Sequence, residues 1–404
     1  MALRITNRII NRREYVMNNT DTLGTTGTTP TRTSRDAIDP VNTLFLVGTF
    51  VVAIIGVPIH LATTGFSWPI LALFGFYMAA TGLSITGGYH RLFSHQAFQA
   101  TAPVRAFLLV FGAAAAQNSV LKWASDHRYH HLYVDQEQDP YNINRGFFWA
   151  HIGWIFYKKS AYDFSNVQDL KKDPLVMWQN RYYLPLAIGV GGLVPLLFGW
   201  AVGDWWGGFL LIGVTRTVIV HHSTFLINSL CHYLGNRPYS TKNSSRDSGL
   251  VALLTYGEGY HNFHHHFQYD YRNGIRWFDW DPTKWLITTL AALGWADRLR
   301  TAKDAHIFEA RLEVQRETAQ QKLAHRPQEF RTSMEKKLHA AHEGLVAARA
   351  QWDRLKVDYT AAKHSMDEKR RHLTVALKQE LTSARRHFQR ANASWNHLLD
   401  TAGT

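Results

Sequence analysis

The sequence predicts an all-α integral membrane protein with four spanning helices and a long, coiled-coil-like C-terminal helix. Three observations predict it. Residues 40–90 contain no Asp, Glu, Lys or Arg. A second uncharged stretch, 182–203, is followed by Trp205–His232, whose one formal charge is Arg216. Beyond residue 300 the chain turns polar, with apolar residues recurring at alternating steps of four and three. About 20 apolar residues cross the ~30 Å hydrocarbon layer of a bilayer as a helix. A soluble helix of that length needs a polar face, which these stretches lack.

Residues 1–40 are polar and rich in Thr, Asn and Arg. They read as a flexible lead, without the apolar h-region of a signal peptide. A membrane domain then covers 41–300, with spans at about 44–63, 68–88, 182–203 and 205–232. Gly65, Ser67 and Pro69 break the first pair. The segment 102–116 is apolar but shorter, which suits an interfacial or buried helix. The turns at 62–67 and 199–206 carry one charge between them, Asp204, whereas 91–181 and everything after Arg237 are rich in Lys and Arg. The positive-inside rule therefore places both termini, and a cap built from 91–181 and 233–300, in the cytoplasm.

The tail, 301–404, has its own pattern. Apolar residues at Met334, Leu338, Ala341, Leu345, Ala348, Trp352, Leu355, Tyr359, Ala362 and Met366 form a heptad seam. After Leu373 the seam resumes at Leu377, Leu381, Ala384, Phe388, Ala391, Trp395 and Leu398, which reads as a four-residue stutter. Such a seam needs a partner: the tail's own earlier turns, another copy of the chain or another protein.

Composition narrows the chemistry. The 404 residues include 22 His and one Cys, Cys231. That excludes an internal disulfide framework and a metal site with several thiolates. The net charge of +13 invites an anionic membrane surface or nucleic acid. Basic cytoplasmic loops and a basic tail account for that charge, so no nucleic-acid partner is expected.

The histidines are not scattered. His90 and His95 form H-R-L-F-S-H at the end of span two, and His127, His130 and His131 form D-H-R-Y-H-H in the long loop. His261, His264 and His265 form G-E-G-Y-H-N-F-H-H after span four, while His232 closes span four one turn after Asn228. Spacings of three and four put two imidazoles on one helix face. A lone histidine such as His60 or His151 is ordinarily a satisfied or exposed side chain, and the tail histidines read as solvated. Three compact clusters are different, because an even number of crossings brings them all to one membrane face. Nine imidazoles exceed the needs of one ion and suit two. Imidazole binds zinc, copper, iron and nickel, so composition does not choose the element.

These motifs, with N-S-L-C-H from Asn228 to His232 and D-P-Y-N-I-N-R-G-F-F-W-A-H-I-G-W in the loop, resemble the membrane acyl-CoA desaturases of the stearoyl-CoA, delta-9 type. The similarity runs from about residue 42 to 300. It implies four transmembrane helices under a cytosolic helical cap that holds a di-iron centre, and oxygen-dependent insertion of a cis double bond into a saturated acyl chain. By resemblance the ligands to two Fe2+ ions are His90, His95, His127, His130, His131, His232, His261, His264 and His265, with Asn228 contributing through water. O2 is the co-substrate, and zinc is a foreseeable substitute in purified material. Gln117, Trp123 and Thr224 fall where the family bends the acyl chain, although Trp123 by itself would read as core packing. Asn118, Asp126, Lys158 and Lys159 fall where it holds the CoA head group. Ser125 departs from the family's animal members, which carry Arg there, and so keeps carrier-protein or phospholipid-bound chains in view. Glu258 and Asp126 are candidates to fix imidazole tautomers. His266, His221 and His222 lie outside the motifs and read as supporting or structural.

No haem-binding H-P-G-G, iron–sulfur cysteine set or nucleotide-binding glycine loop is seen, so a separate cytochrome b5-like or ferredoxin/rubredoxin-like donor is expected. Related di-iron hydroxylases of fatty acids or alkanes share histidine clusters, but their flanking patterns are not found. Nor is the third-box Gln of front-end acyl-lipid desaturases. In another class, a membrane metal transporter should place its ligands at mid-membrane. Here only Asn228 and His232 lie on a span, near its end.

Overall fold

The computed structural model describes residues 37–157, 164–364 and 368–403. Most of the expected flexible lead, Lys158, Lys159 and Met366 lie outside the described residues. Four helices are long and apolar enough to cross a membrane: Pro40–Thr63, Trp68–Ser94, Tyr183–Ala201 and Trp205–His232. Asp39 starts the first, its carboxylate accepting from the backbone N–H groups of Val41 and Asn42, with Pro40 at the first helical position. Spans two and four form the centre of the bundle. Half of their apolar windows is buried, against 17% for spans one and three.

Small residues bring the backbones together, as membrane bundles require. A Cβ on Gly208 would lie 2.6 Å from Gly199 Cα, so spans three and four touch there. At the same end of the bundle, His60 Nε2 lies 3.0 Å from Asp204 Oδ2 and ties the two short turns together. Span two continues past the expected boundary at 88. Its final stretch, Ser84–Ser94, is a buried π-helix that carries the first histidine pair into the cap.

The apolar helix Ala102–Ala114 buries Leu108, Leu109, Gly112, Ala113 and Ala114. Gly112 is required because a Cβ there would sit 2.3 Å from the Tyr89 ring. The cap adds helices Val120–Tyr133, Gly249–Leu254, His261–His266 and Pro282–Ala292. Its core joins Ile85, Tyr89 and Phe93 of span two to Leu109, Val120, Leu121 and Ile287. A two-stranded antiparallel ribbon, Gln99–Ala100 with Ala296–Asp297, fastens the start of the cap to its end.

The tail differs from a single long helix. It forms Asp304–Leu323, Gln328–Lys363 and Glu368–Gly403. The seam finds its partner in the tail's own turns: Leu312, Ala319, Leu323, Met334, Leu338, Leu345, Trp395 and Ala402 share one buried cluster. An unpaired seam from Met334 to Leu398 would leave an apolar stripe in water, and doubling back removes it. The helix Asp304–Leu323 also seats on the cap. Ile307 packs with Tyr239, Phe263 and Phe267, and Arg311 Nη2 donates to Tyr239 Oη at 2.6 Å.

Candidate metal centre

Four elements deliver the nine motif histidines to one place. In the π-helix of span two, His95 N–H donates to His90 O at 3.1 Å, an i to i−5 bond. That winding brings residues five apart onto one face, which an α-helix would not do. The helix Val120–Tyr133 supplies His127, His130 and His131; His261–His266 supplies His261, His264 and His265; the end of span four supplies His232. The imidazoles separate into two groups. His90, His95, His127, His131 and His264 form one, and His130, His232, His261 and His265 the other, with ligand nitrogens in each group within 4.8 Å of one another. The interleaving is a finding of the fold: neighbours 130 and 131 serve different groups, as do 264 and 265.

The nitrogens fit metal ions better than they fit each other. Nε2 atoms face Nε2 atoms at 3.0 Å for His90 and His264, 2.8 Å for His95 and His127, and 3.2 Å for His130 and His265. Several outward nitrogens are held by oxygen. His90 Nδ1 lies 3.0 Å from Glu258 Oε2, His130 Nδ1 2.9 Å from Asp139 Oδ1, and His232 Nδ1 2.7 Å from Ser244 Oγ. Donating Nδ1–H outward leaves Nε2 bare and aimed inward. His232 Nε2 is buried without a hydrogen-bond partner among the described residues. Opposite ligands on one ion at ~2.1 Å stand ~4.2 Å apart, the scale of each group.

Electrostatics prepares the same state. Burial, reinforced by the neighbouring imidazoles, pushes His95, His127, His131, His261, His264 and His265 well below the usual histidine range. They stay neutral, the form that binds metal. For Glu258, burial works to raise the carboxyl, but Arg91 and His90 outweigh it and bring it down to about 2. Arg91 bonds both Glu258 and Asp281.

A cavity of about 550 Å³ runs beside the first group, with His90 and His127 in its wall. Gln117, Asn118, Trp123, Asp126, Thr224 and Asn228 line it, joined by Lys122 and His221, which sequence reasoning had not placed there. Trp123 stacks on His127 at 5.0 Å between ring centroids. Gln117 bridges the wall, its Nε2 donating to Thr224 Oγ1 at 2.9 Å while Trp123 Nε1 donates to its Oε1 at 3.3 Å. Asp126 pairs with Lys122 Nζ at 3.2 Å, and the carboxylate on His130 is Asp139 instead. Ser125 is buried and donates to Asn166 Oδ1. His222 bonds His151, and His266 packs on Phe267.

Comparison with known proteins gives a consistent result. A family model described as fatty acid desaturase matches residues 66–301. The chain is 43% identical over 270 residues to a probable acyl-CoA desaturase of Schizosaccharomyces pombe, covering 66% of this chain and 56% of that protein. It is 38% identical over 275 residues to acyl-CoA desaturase 1 of Saccharomyces cerevisiae, covering 66% and 52%. Similarity to the sn-1 stearoyl-lipid 9-desaturase of Anabaena variabilis is 36% over 272 residues, covering 67% and 96%. The chain thus spans about half the length of the two yeast relatives.

Proposed function

The chain belongs to the fatty acid desaturase family, and from that premise we propose that it inserts a cis double bond, at the delta-9 position, into a saturated long-chain acyl-CoA. The observation that carries this reading is the cavity that passes His90 and His127 and is crossed by the Gln117 bridge. The reaction removes two hydrogens from adjacent methylenes; with two electrons and two protons from outside, O2 leaves as two waters. An unactivated C–H bond offers no acidic proton for a side-chain base, so the chemistry supplied by two bound iron ions is its oxidation at the expense of O2.

The chain's own residues bind, orient and keep dry. Phe45, Leu46, Ile85 and Phe225 make the cavity wall apolar, which suits an alkyl chain and excludes water. The stacked Trp123 and the Gln117–Thr224 bridge present a rigid obstacle beside His127, where a straight chain must turn. Asn118, Lys122 and Asp126 line the same cavity on the side of the helix Val120–Tyr133, and are assigned to the head group with Lys158 and Lys159. The nine histidines are assigned as iron ligands, five to one ion and four to the other, with Asn228 completing the smaller set through water. Electrons are assigned to an acidic redox protein, cytochrome b5-like or ferredoxin/rubredoxin-like, that meets a basic cytoplasmic face. Cytoplasmic termini follow from the charge-poor turns. Self-association through the tail would use its outer faces, since its seam is filled from within.

The test is purified, iron-loaded protein in lipid with a reductant, given either a saturated acyl-CoA or a phospholipid bearing the same chain, with products localised by mass spectrometry. A delta-9 monoene from the acyl-CoA, absent in His131→Ala, is the expected result. Monoene from the phospholipid alone would reassign the head group, and none from either substrate would refute desaturation.

A further inference from the structure

The turn between helices Ala102–Ala114 and Val120–Tyr133 has an uncommon backbone. Ala116 and Asn118 have φ of 57° and 75°, the left-handed region that residues with a Cβ avoid. Between them stands Gln117, the residue that bridges the cavity. Such a turn persists only where its surroundings hold it.

Span four holds one side of it, and the other is held where Asn118 N–H donates to Tyr183 Oη at 3.0 Å. Arg216, fully buried, donates from Nη1 to Ala114 O at 2.6 Å, from Nη2 to Gly191 O at 3.0 Å and from Nε to Ile212 O at 3.0 Å. His221, 5% exposed, places Nε2 2.8 Å from Ala115 O, to which it must donate. The last carbonyls of a helix have no partner within it and carry the negative end of its dipole. A guanidinium and an imidazole N–H satisfy two of them here. A cation among membrane spans is costly and ordinarily functional, and all three of these Arg216 bonds end on backbone carbonyls. One of them reaches the turn, at Ala114, and the other two tie the guanidinium to spans three and four.

We propose that Arg216 and His221 are positioning residues that fix where along the acyl chain the bend falls, and so set the position of the double bond. The inference rests on the desaturase reading. Arg216, His221, Thr224, Asn228 and His232 share one span, and the eight steps from Thr224 to His232 correspond to ~12 Å of helix. Span four therefore carries the clamp on the turn, the anchor of the Gln117 bridge and a metal-site histidine on a single rod. While the clamp holds, the distance from bend to metal is fixed by that rod. When it loosens, Gln117 can shift and the chain can slide against the metal-site histidines by one or more methylenes.

The test compares iron-loaded parent, His221→Leu, His221→Gln and Arg216→Lys on one saturated acyl-CoA, with double bonds localised and iron quantified in each. His221→Leu removes the donor at similar volume, and the ratio of displaced to parental isomer should rise about five-fold, the equivalent of one ~1 kcal/mol hydrogen bond. His221→Gln keeps an N–H at similar reach and should stay near the parental ratio. Arg216→Lys cannot span three carbonyls and should shift the ratio as His221→Leu does. Lowered turnover with an unchanged isomer ratio in His221→Leu and Arg216→Lys would overturn the proposal. If His221→Leu does not fold, the ratio in Arg216→Lys decides alone. A parent that makes no monoene defeats the desaturase reading itself.

Discussion

At the scale of single residues, the proposed metal centre depends on charges outside its set of nine histidines. Arg91 joins Glu258 and Asp281, and Asn273 Nδ2 donates to Glu258 Oε2 at 2.5 Å. This network fixes the carboxylate that orients His90. Glu258→Gln keeps the shape but removes the charge that stabilises Nδ1–H, and leaves Arg91 partly uncompensated. Iron affinity should fall about ten- to hundred-fold, the usual effect of removing the outer partner of a metal ligand, as measured by competition with a chelator. The pH sign follows from the depressed carboxyl. Its folded value is about 2 against an ordinary 4.5, so its stabilising contribution is complete above 4.5 and disappears as pH falls through 2. The Gln variant should lack that part of the acid slope in denaturant titrations. Glu258 was legible from its place beside the third histidine cluster. Asp139, Ser244 and Asp281 were not, because no local pattern distinguishes a buried oxygen that only folding brings to a ring or guanidinium.

At the scale of elements, charge-free runs located the four spans, because a bilayer tolerates so few charged residues that their absence is a strong signal. The π-helix was not legible. Spacings of three and four predict shared helical faces, whereas His90 and His95 are five apart and need the wider winding of Ser84–Ser94. The heptad reading identified the tail's apolar positions, and Met334, Leu338, Leu345 and Trp395 are buried as it expected. It did not reveal that one helix ends at Lys363 and another starts at Glu368, since a seam continues in register whether its helix runs on or folds back on itself. Trp395 is fully buried and donates to Gln315 Oε1 at 2.9 Å, which locks the last tail helix against the first. Trp395→Ala should destabilise the tail by about 3–5 kcal/mol. Limited proteolysis should then cut residues 328–403 faster than in the parent, with bound iron unchanged. Loss of iron with that cleavage would mean that the outer tail helices also support the centre.

At the scale of the whole molecule, span positions, cap and histidine groups form one arrangement. Spans two and four are the most buried, and both run on to deliver histidine-bearing ends to the same side. The helices Val120–Tyr133 and His261–His266 complete both groups from above. A division into a membrane domain of 41–300 and a tail of 301–404 is proposed on composition, yet Ile307 and Arg311 bind the first tail helix to the cap beside Phe263. The net charge of +13 is read as cytoplasmic loops, a docking face for an acidic donor and a basic tail. Nine histidines from four elements are proposed to make one centre of two ions. It is tested most directly by elemental analysis of protein purified from iron-replete cells, beside His232→Ala. Two irons per chain are expected in the parent, and loss from the four-histidine group alone in the variant, leaving about one. Fewer than one metal ion per parental chain, or the same content in both proteins, would contradict it.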